Sequence, residues 1–332
     1  MGSFFSGLFG NEPLKKRIGG AIMRGTAAHA FLISGPEGSG KMTLAKEMAA
    51  AFNCECRDDG ASALPCHSCN TCRRIFEGGF TDVKTLSKPK DKATIGVGEI
   101  RYFREDMFLS ATESDYKIYI IDDAERMTPN AQNALLKVLE EPPNNVVIIL
   151  LSASLDAILT TIKSRTQLAS MQHFTEDELE EYFGNSANGK RELLMAANGC
   201  IGRAKTLLGE GADDVRAMRG VTMKIISAIK PRAPYSALYT AIKELPTKKD
   251  ELKDSLESVM SAIRDLLLLK HDKDAPLVFF TSREEGLAIA SEIPAKRIAA
   301  IYDVIRDSID DLSKNVNAGA VTTCLGARIK LI

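Results

Sequence analysis

Two groups of side chains in this 332-residue chain have the types and spacing to do chemistry. The first is Cys66-x-x-Cys69-x-x-Cys72, preceded by Cys54 and Cys56. Tight loops of this spacing chelate a tetrahedral ion from one side, and a further thiolate closes the shell. Five thiols compete for four positions. Cys54, at the end of a predicted helix, is the favoured first ligand, and Cys56, with a shorter closing loop, is the alternate. A four-thiolate shell has no open position for water, so Zn2+ held there is expected to be structural and not catalytic. His67 lies inside the chelate loop and reads as a bystander. Cys200 and Cys324 stand apart and read as small core residues.

The second group begins at Gly35-Pro-Glu-Gly38-Ser-Gly40-Lys41-Met42-Thr43, after one predicted strand and at the start of a predicted helix. Glycines let backbone amides turn toward phosphate oxygens, the helix N-terminus favours negative charge, and Lys41 can reach the outer phosphates. Gly35, Gly38, Gly40 and Lys41 are therefore candidate nucleotide contacts. Ser or Thr is required after the lysine to ligate magnesium, and Met42 stands there instead. A thioether is a poor ligand for this hard cation. Thr43 is one position late, turned roughly 100° around the helix, and is the weakest of the candidates. ATP with Mg2+ is thus expected to bind weakly or not at all, and to be hydrolysed poorly. Downstream, Lys117-Ile-Tyr-Ile-Ile-Asp122-Asp123 reads as an apolar strand ending in acids beside the phosphate site. Asp122 would lie near the metal, while Asp123 is one methylene shorter than a water-orienting glutamate.

These groups need a scaffold, and the hydrophobic pattern supplies one. Apolar runs at 29–34, 82–86, 117–122 and 146–151 predict strands. They alternate with helical patterns at 41–52, 99–109 and 130–140. This is the signature of an α/β domain with a parallel sheet covered by helices. A boundary is expected just after Met171, because Phe174-Thr175-x-x-Glu178 spells a capping box with a hydrophobic staple. Beyond it the pattern is helical throughout. The expected domains are 1–172, carrying a knuckle at 54–72, then a small helical domain at 173–212 and a larger all-α domain at 213–332. In the last, Leu256, Val259, Met260, Ile263, Leu266 and Leu267 recur at helical spacing and read as core.

Composition narrows the function classes. Forty-three basic and 44 acidic residues give a net charge of −1, so no whole-molecule attraction draws the chain to nucleic acid. Aromatic residues are 6% of the total and tryptophan is absent, which weakens a stand-alone nucleic-acid-binding role that depends on base stacking. The longest apolar run, 146–151, is far short of the ~20 residues of a membrane-spanning helix. No signal-like segment opens the chain, and crowded cysteines suit a reducing compartment. A cytoplasmic protein with no membrane partner is expected.

The motifs HAFLISGPEGSGK, CxxCxxC, IGVGEIR, KIYIIDDAERMT, NALLKVLEEPP and the Ser164-Arg165 pair, in that order, resemble the bacterial DNA polymerase III clamp-loader subunits of the AAA+ class, nearest the delta-prime branch. The resemblance covers nearly the whole chain and is strongest from Gly10 to Arg165. It implies an AAA+ P-loop domain with an inserted zinc knuckle, a small helical lid and an all-α collar. It further implies a hetero-oligomeric ring with gamma/tau ATPase subunits and a delta subunit, which opens a sliding clamp and places it on primed DNA at the nucleoid-associated replisome. Ile162-Lys163-Ser164-Arg165-Thr166 is similar to the family's SRC motif. Arg165 then becomes an arginine finger acting in trans, with Thr166 departing from the usual cysteine. Taken alone, such an arginine reads as a solvated or salt-bridged surface residue. Arg203, in Asn198-Gly-Cys-Ile-Gly202-Arg203, is similar to a lid-domain sensor that contacts nucleotide, or equally begins a helix. The competing readings are an active gamma/tau-like ATPase, a P-loop nucleotide kinase, and a zinc nucleic-acid-binding module.

Overall fold

The computed structural model describes residues 3–57, 63–89, 92, 94–187, 189–209, 212–275, 277–313 and 316–332. The chain divides into two compact units, Met1–His173 with Cys200–Arg203, and Phe174–Gly199 with Ala204–Ile332. In the first unit the order is β1 (Ser3–Phe4), α1 (Glu12–Met23), β2 (Ala30–Ser34), α2 (Lys41–Phe52), β3 (Ala63–Leu64), α3 (Asn70–Glu77), β4 (Val83–Leu86), α4 (Val97–Met107), β5 (Lys117–Ile121), α5 (Pro129–Glu140), β6 (Val146–Ser152), α6 (Thr160–Lys163) and β7 (Gln167–Ser170).

Five of these strands form one parallel sheet in the order β4-β5-β6-β2-β7, while β1 pairs with β3 separately. Parallel strands buried on both faces read as continuous apolar runs, and their side chains divide between the faces with period two. Phe31, Ile33, Ile118, Ile120, Val147 and Ile149 pack on one side with Leu44 and Met48 of α2. Leu32, Tyr119, Ile121, Ile148 and Leu150 pack on the other with Ile100 of α4 and Leu135 of α5. β2 lies between β6 and β7, where strand order reverses. The crevice beyond the carboxyl ends of such strands is where α/β sheets bind ligands.

The pattern did not predict β1, α1, β3, α3, α6 or β7. β7 buries only Ala169 fully and alternates weakly, because it is an edge strand. α1 carries Pro13, Gly19 and Gly20, which mask its helical signal; Gly19 is required because the Phe4 ring lies where a Cβ would project.

The second unit contains only helices among its described residues: α7 (Glu176–Phe183), α8 (Arg191–Ala196), α9 (Ile201–Leu208, whose opening residues belong to the first unit), α10 (Ala212–Ala228), α11 (Tyr235–Lys243), α12 (Lys249–His271), α13 (Arg283–Glu292), α14 (Ala295–Ser313) and α15 (Ala318–Lys330). The capping box is present: the Glu178 amide donates to Thr175 Oγ1 at 3.2 Å, and the Thr175 amide donates to Glu178 Oε2 at 2.7 Å. Leu256, Val259, Ile263 and Leu266 are fully buried, with Met260 and Leu267 packed beside them. The buried Asp265 carboxylate accepts the amides of Val278, Phe279 and Phe280, which fixes the turn that follows α12. Cys200 is buried as expected, but Cys324 is exposed. The buried stripe of α15 runs through Val321, Leu325 and Ile329 and leans toward Gly326, which leaves Cys324 outside. Among the described residues no helix is long and apolar enough to cross a membrane.

Candidate functional site

The glycine loop joins the carboxyl end of β2 to α2. Gly38 and Gly40 have φ of +77° and +91°, left-handed conformations that L side chains rarely adopt. The room around Gly38 is taken by backbone: the Gly202 amide donates to the Gly38 carbonyl at 2.8 Å, and a Cβ on Gly38 would lie 2.7 Å from the Arg203 nitrogen. The Cys200–Arg203 segment of the first unit is thus seated on the loop.

Lys41 opens α2 and curls back, donating from Nζ to the carbonyls of Gly35 at 2.7 Å and Pro36 at 2.9 Å. Burial pulls its pKa below the ordinary lysine value, opposed by the acids Glu125, Asp122, Asp123 and Glu37. The Met42 side chain packs against the core and Thr43 is exposed on α2. The loop therefore offers amides and an ammonium group, but no hydroxyl at the position where magnesium requires one.

The acids at the end of β5 differ in their surroundings. Asp122 accepts the Asp123 amide at 3.0 Å, and burial, reinforced by the Asp123 charge, pushes its carboxyl above the usual range. Asp123 has a left-handed φ of +50°, and its carboxylate lies 3.6 Å from Arg126 Nε. Glu125 was not singled out from the sequence. Its Oε2 is buried without a hydrogen-bond partner, and its charge is the strongest of the acids acting on Lys41. Its position three residues past Asp122, on a single 3-10 turn, was the available signal.

The cysteines converge elsewhere in this unit. The Sγ atoms of Cys54, Cys66, Cys69 and Cys72 lie within 4.8 Å of one another, so these four could hold a metal ion, consistent with zinc. Cys56 is outside that group. The exit of α2 explains the choice: Asn53 Nδ2 donates to the Tyr116 carbonyl and Asn53 Oδ1 accepts the Tyr116 amide, both at 3.0 Å, which anchors the chain next to Cys54. Cys66 Sγ accepts the Cys69 amide and Cys69 Sγ accepts the Cys72 amide, each at 3.4 Å, so the chelate loops are already held by their own backbone. Burial opposes ionisation of Cys66, but donors from Ser68 and Cys69 outweigh it and lower its thiol pKa to about 5; burial pushes Cys72 upward. A doubly charged cation among the four would relieve that conflict.

His67 takes no place among the sulfurs. Its ring stacks on Phe76 at 4.9 Å, and its Nε2 lies 3.3 Å from Oε2 of the buried Glu47 on α2, whose Oε1 accepts the Gly7 amide at 3.1 Å. Burial raises the Glu47 pKa from 4.5 to about 7, against the Gly7 hydrogen bond and the charge of Lys15. The folded chain therefore holds a proton that the unfolded chain releases in this interval. Its contribution is fully present below about pH 4.5 and is lost as pH rises through about 7. Glu47→Gln is expected to remove on the order of 3 kcal/mol of this pH dependence. Melting temperatures of both proteins from pH 5 to 8 test it, and parallel curves would refute it.

Arg165 follows α6 on the surface of the same unit, with a side chain 36% exposed. Its Nη2 contacts Glu140 Oε1 at 2.7 Å, and its Nη1 donates to the Thr161 carbonyl at 3.0 Å and to Ser164 Oγ at 3.3 Å. Thr166 Oγ1 donates to the Ile162 carbonyl at 3.0 Å, closing the turn into β7.

Residues 10–175 match the family described as DNA polymerase III, delta subunit. The chain is 28% identical over 333 residues to DNA polymerase III subunit tau of Bacillus subtilis (strain 168), an alignment covering 93% of this chain and 58% of that protein. It is 27% identical over 308 residues to subunit delta' of the same organism, covering 91% of each. It thus spans little more than half of the tau relative. Among solved structures, a DNA polymerase III gamma subunit-related protein from Thermotoga maritima aligns with a TM-score of 0.42 and 19% identity, covering 93% of this chain and 97% of that one.

Proposed function

Because the chain belongs to the DNA polymerase III, delta subunit family of clamp-loader proteins, we propose that it is a delta-prime-type clamp-loader subunit that hydrolyses little or no ATP itself and lends Arg165 to a neighbour. Its partners on this reading are gamma/tau ATPase subunits and a delta subunit, acting on the sliding clamp and primed DNA at the cytoplasmic, nucleoid-associated replisome. The observation that carries it is Met42, partly buried against the core at the position that needs a magnesium-binding hydroxyl. The Arg165 guanidinium, exposed at the surface, supports the second half.

The same reading assigns Zn2+ to Cys54, Cys66, Cys69 and Cys72, where it supplies a cross-link and no chemistry. It treats 173–212 as a lid with Arg203 directed to nucleotide, and 213–332 as a collar. Gly35, Gly38, Gly40, Lys41, Thr43, Asp122 and Asp123 are then the remnant of a nucleotide site. The active gamma/tau-like reading is favoured by the similarity to subunit tau and is opposed by Met42.

Magnesium-dependent ATP turnover by the isolated chain separates the two. No turnover above background is expected, with activity appearing only on reconstitution with gamma/tau-like and delta-like subunits. Robust turnover by the chain alone would reject the proposal in favour of the active reading.

A further inference from the structure

Arg165 is held from two directions by its own unit. The Thr161 carbonyl accepts from Nη1, and the carboxylate of Glu140, the last residue of α5, forms an ion pair with Nη2 at 2.7 Å. A guanidinium has five N–H donors in a rigid planar fork, so fixing both terminal nitrogens fixes the whole plane. Nε and Nη2 make no hydrogen bond to protein among the described residues, although Nη2 is held by the Glu140 charge. Glu140 lies in the NALLKVLEEPP segment, and among the described residues its side chain makes no other ion pair or hydrogen bond.

We propose that Glu140 is a positioning residue for Arg165: it clamps Nη2 so that the remaining donors face outward toward a neighbouring subunit's phosphates. The inference rests on the trans-arginine reading given above. An arginine with a free side chain must lose rotamer freedom whenever it engages a phosphate, and a clamped one has lost most of it already. The contact is an ion pair, so the charge of the carboxylate does the holding and an uncharged amide replaces it only in part.

The test uses the reconstituted complex carrying Glu140→Ala, Glu140→Gln, Arg165→Ala or Glu140→Ala with Arg165→Ala, with ATP turnover measured across ATP concentrations. Glu140→Ala is expected to lower kcat about threefold with KM unchanged, because an exposed pair contributes modestly. Glu140→Gln, which keeps the shape and loses the charge, should fall between wild type and Glu140→Ala. In the Arg165→Ala background, Glu140→Ala should add nothing, since its only client is gone. If Arg165→Ala leaves turnover unchanged, the trans-arginine reading itself fails. If Arg165→Ala lowers turnover but Glu140→Ala is neutral, raises turnover, or multiplies with Arg165→Ala, the positioning role of Glu140 is wrong and the arginine reading stands.

Discussion

Arg165→Ala is expected to leave folding and assembly intact and to lower ATP turnover at the interface it serves by roughly a thousandfold. The reason is electrostatic. Negative charge spreads over the equatorial oxygens of a transferring phosphoryl group, and a guanidinium in a water-poor interface stabilises it far better than solvent does. Stability is expected to change by no more than about 1 kcal/mol, because the pair with Glu140 is exposed. Arg165→Lys should recover only part of the rate, since a point charge cannot reproduce the planar fork. Turnover and clamp loading by the reconstituted complex are the measurements, and wild-type values for Arg165→Ala would end the trans role.

Cys69→Ser is expected to release the metal and destabilise the first unit by several kcal/mol. Cys69 is central to the quartet, accepting the Cys72 amide while its own amide donates to Cys66. The cost is expected on the order of 5 kcal/mol. This is below the roughly 10–16 kcal/mol of isolated zinc-finger peptides, because the sheet and its two apolar layers persist without the ion. Cys56→Ser, outside the quartet, should keep both metal and stability. Metal analysis of freshly purified protein with denaturant unfolding checks both. Loss of metal from Cys56→Ser but not from Cys54→Ser would reverse the ligand assignment.

The strands and the helices of the sheet were legible because their signals are local. The runs at 29–34 and 146–151 are apolar at every position since both faces of β2 and β6 are covered. The Thr175–Glu178 capping box spans a single turn and formed as its residues spell it. Among the elements missed, α1 and β7 escaped for equally local reasons, helix-weakening glycines in one, of which Gly19 is forced by the Phe4 ring, and an edge position in the other. That no hydroxyl follows the loop lysine was also readable, because the residue at that helix position is Met42.

What tertiary structure decided is which distant groups meet. The choice of Cys54 over Cys56 depends on how Asn53 is anchored to Tyr116, 63 residues along the chain. Gly202 reaches Gly38, Glu47 reaches His67, and Glu140 reaches Arg165 only because folding brings their segments together. Local spacing determines which way a side chain points along its own helix or strand, and so the sequence by itself determined the elements, the glycine loop and the chelating triplet. It carries no measure of distance between elements, so the fourth thiol, the buried acid beside His67 and the clamp on Arg165 were decided by packing.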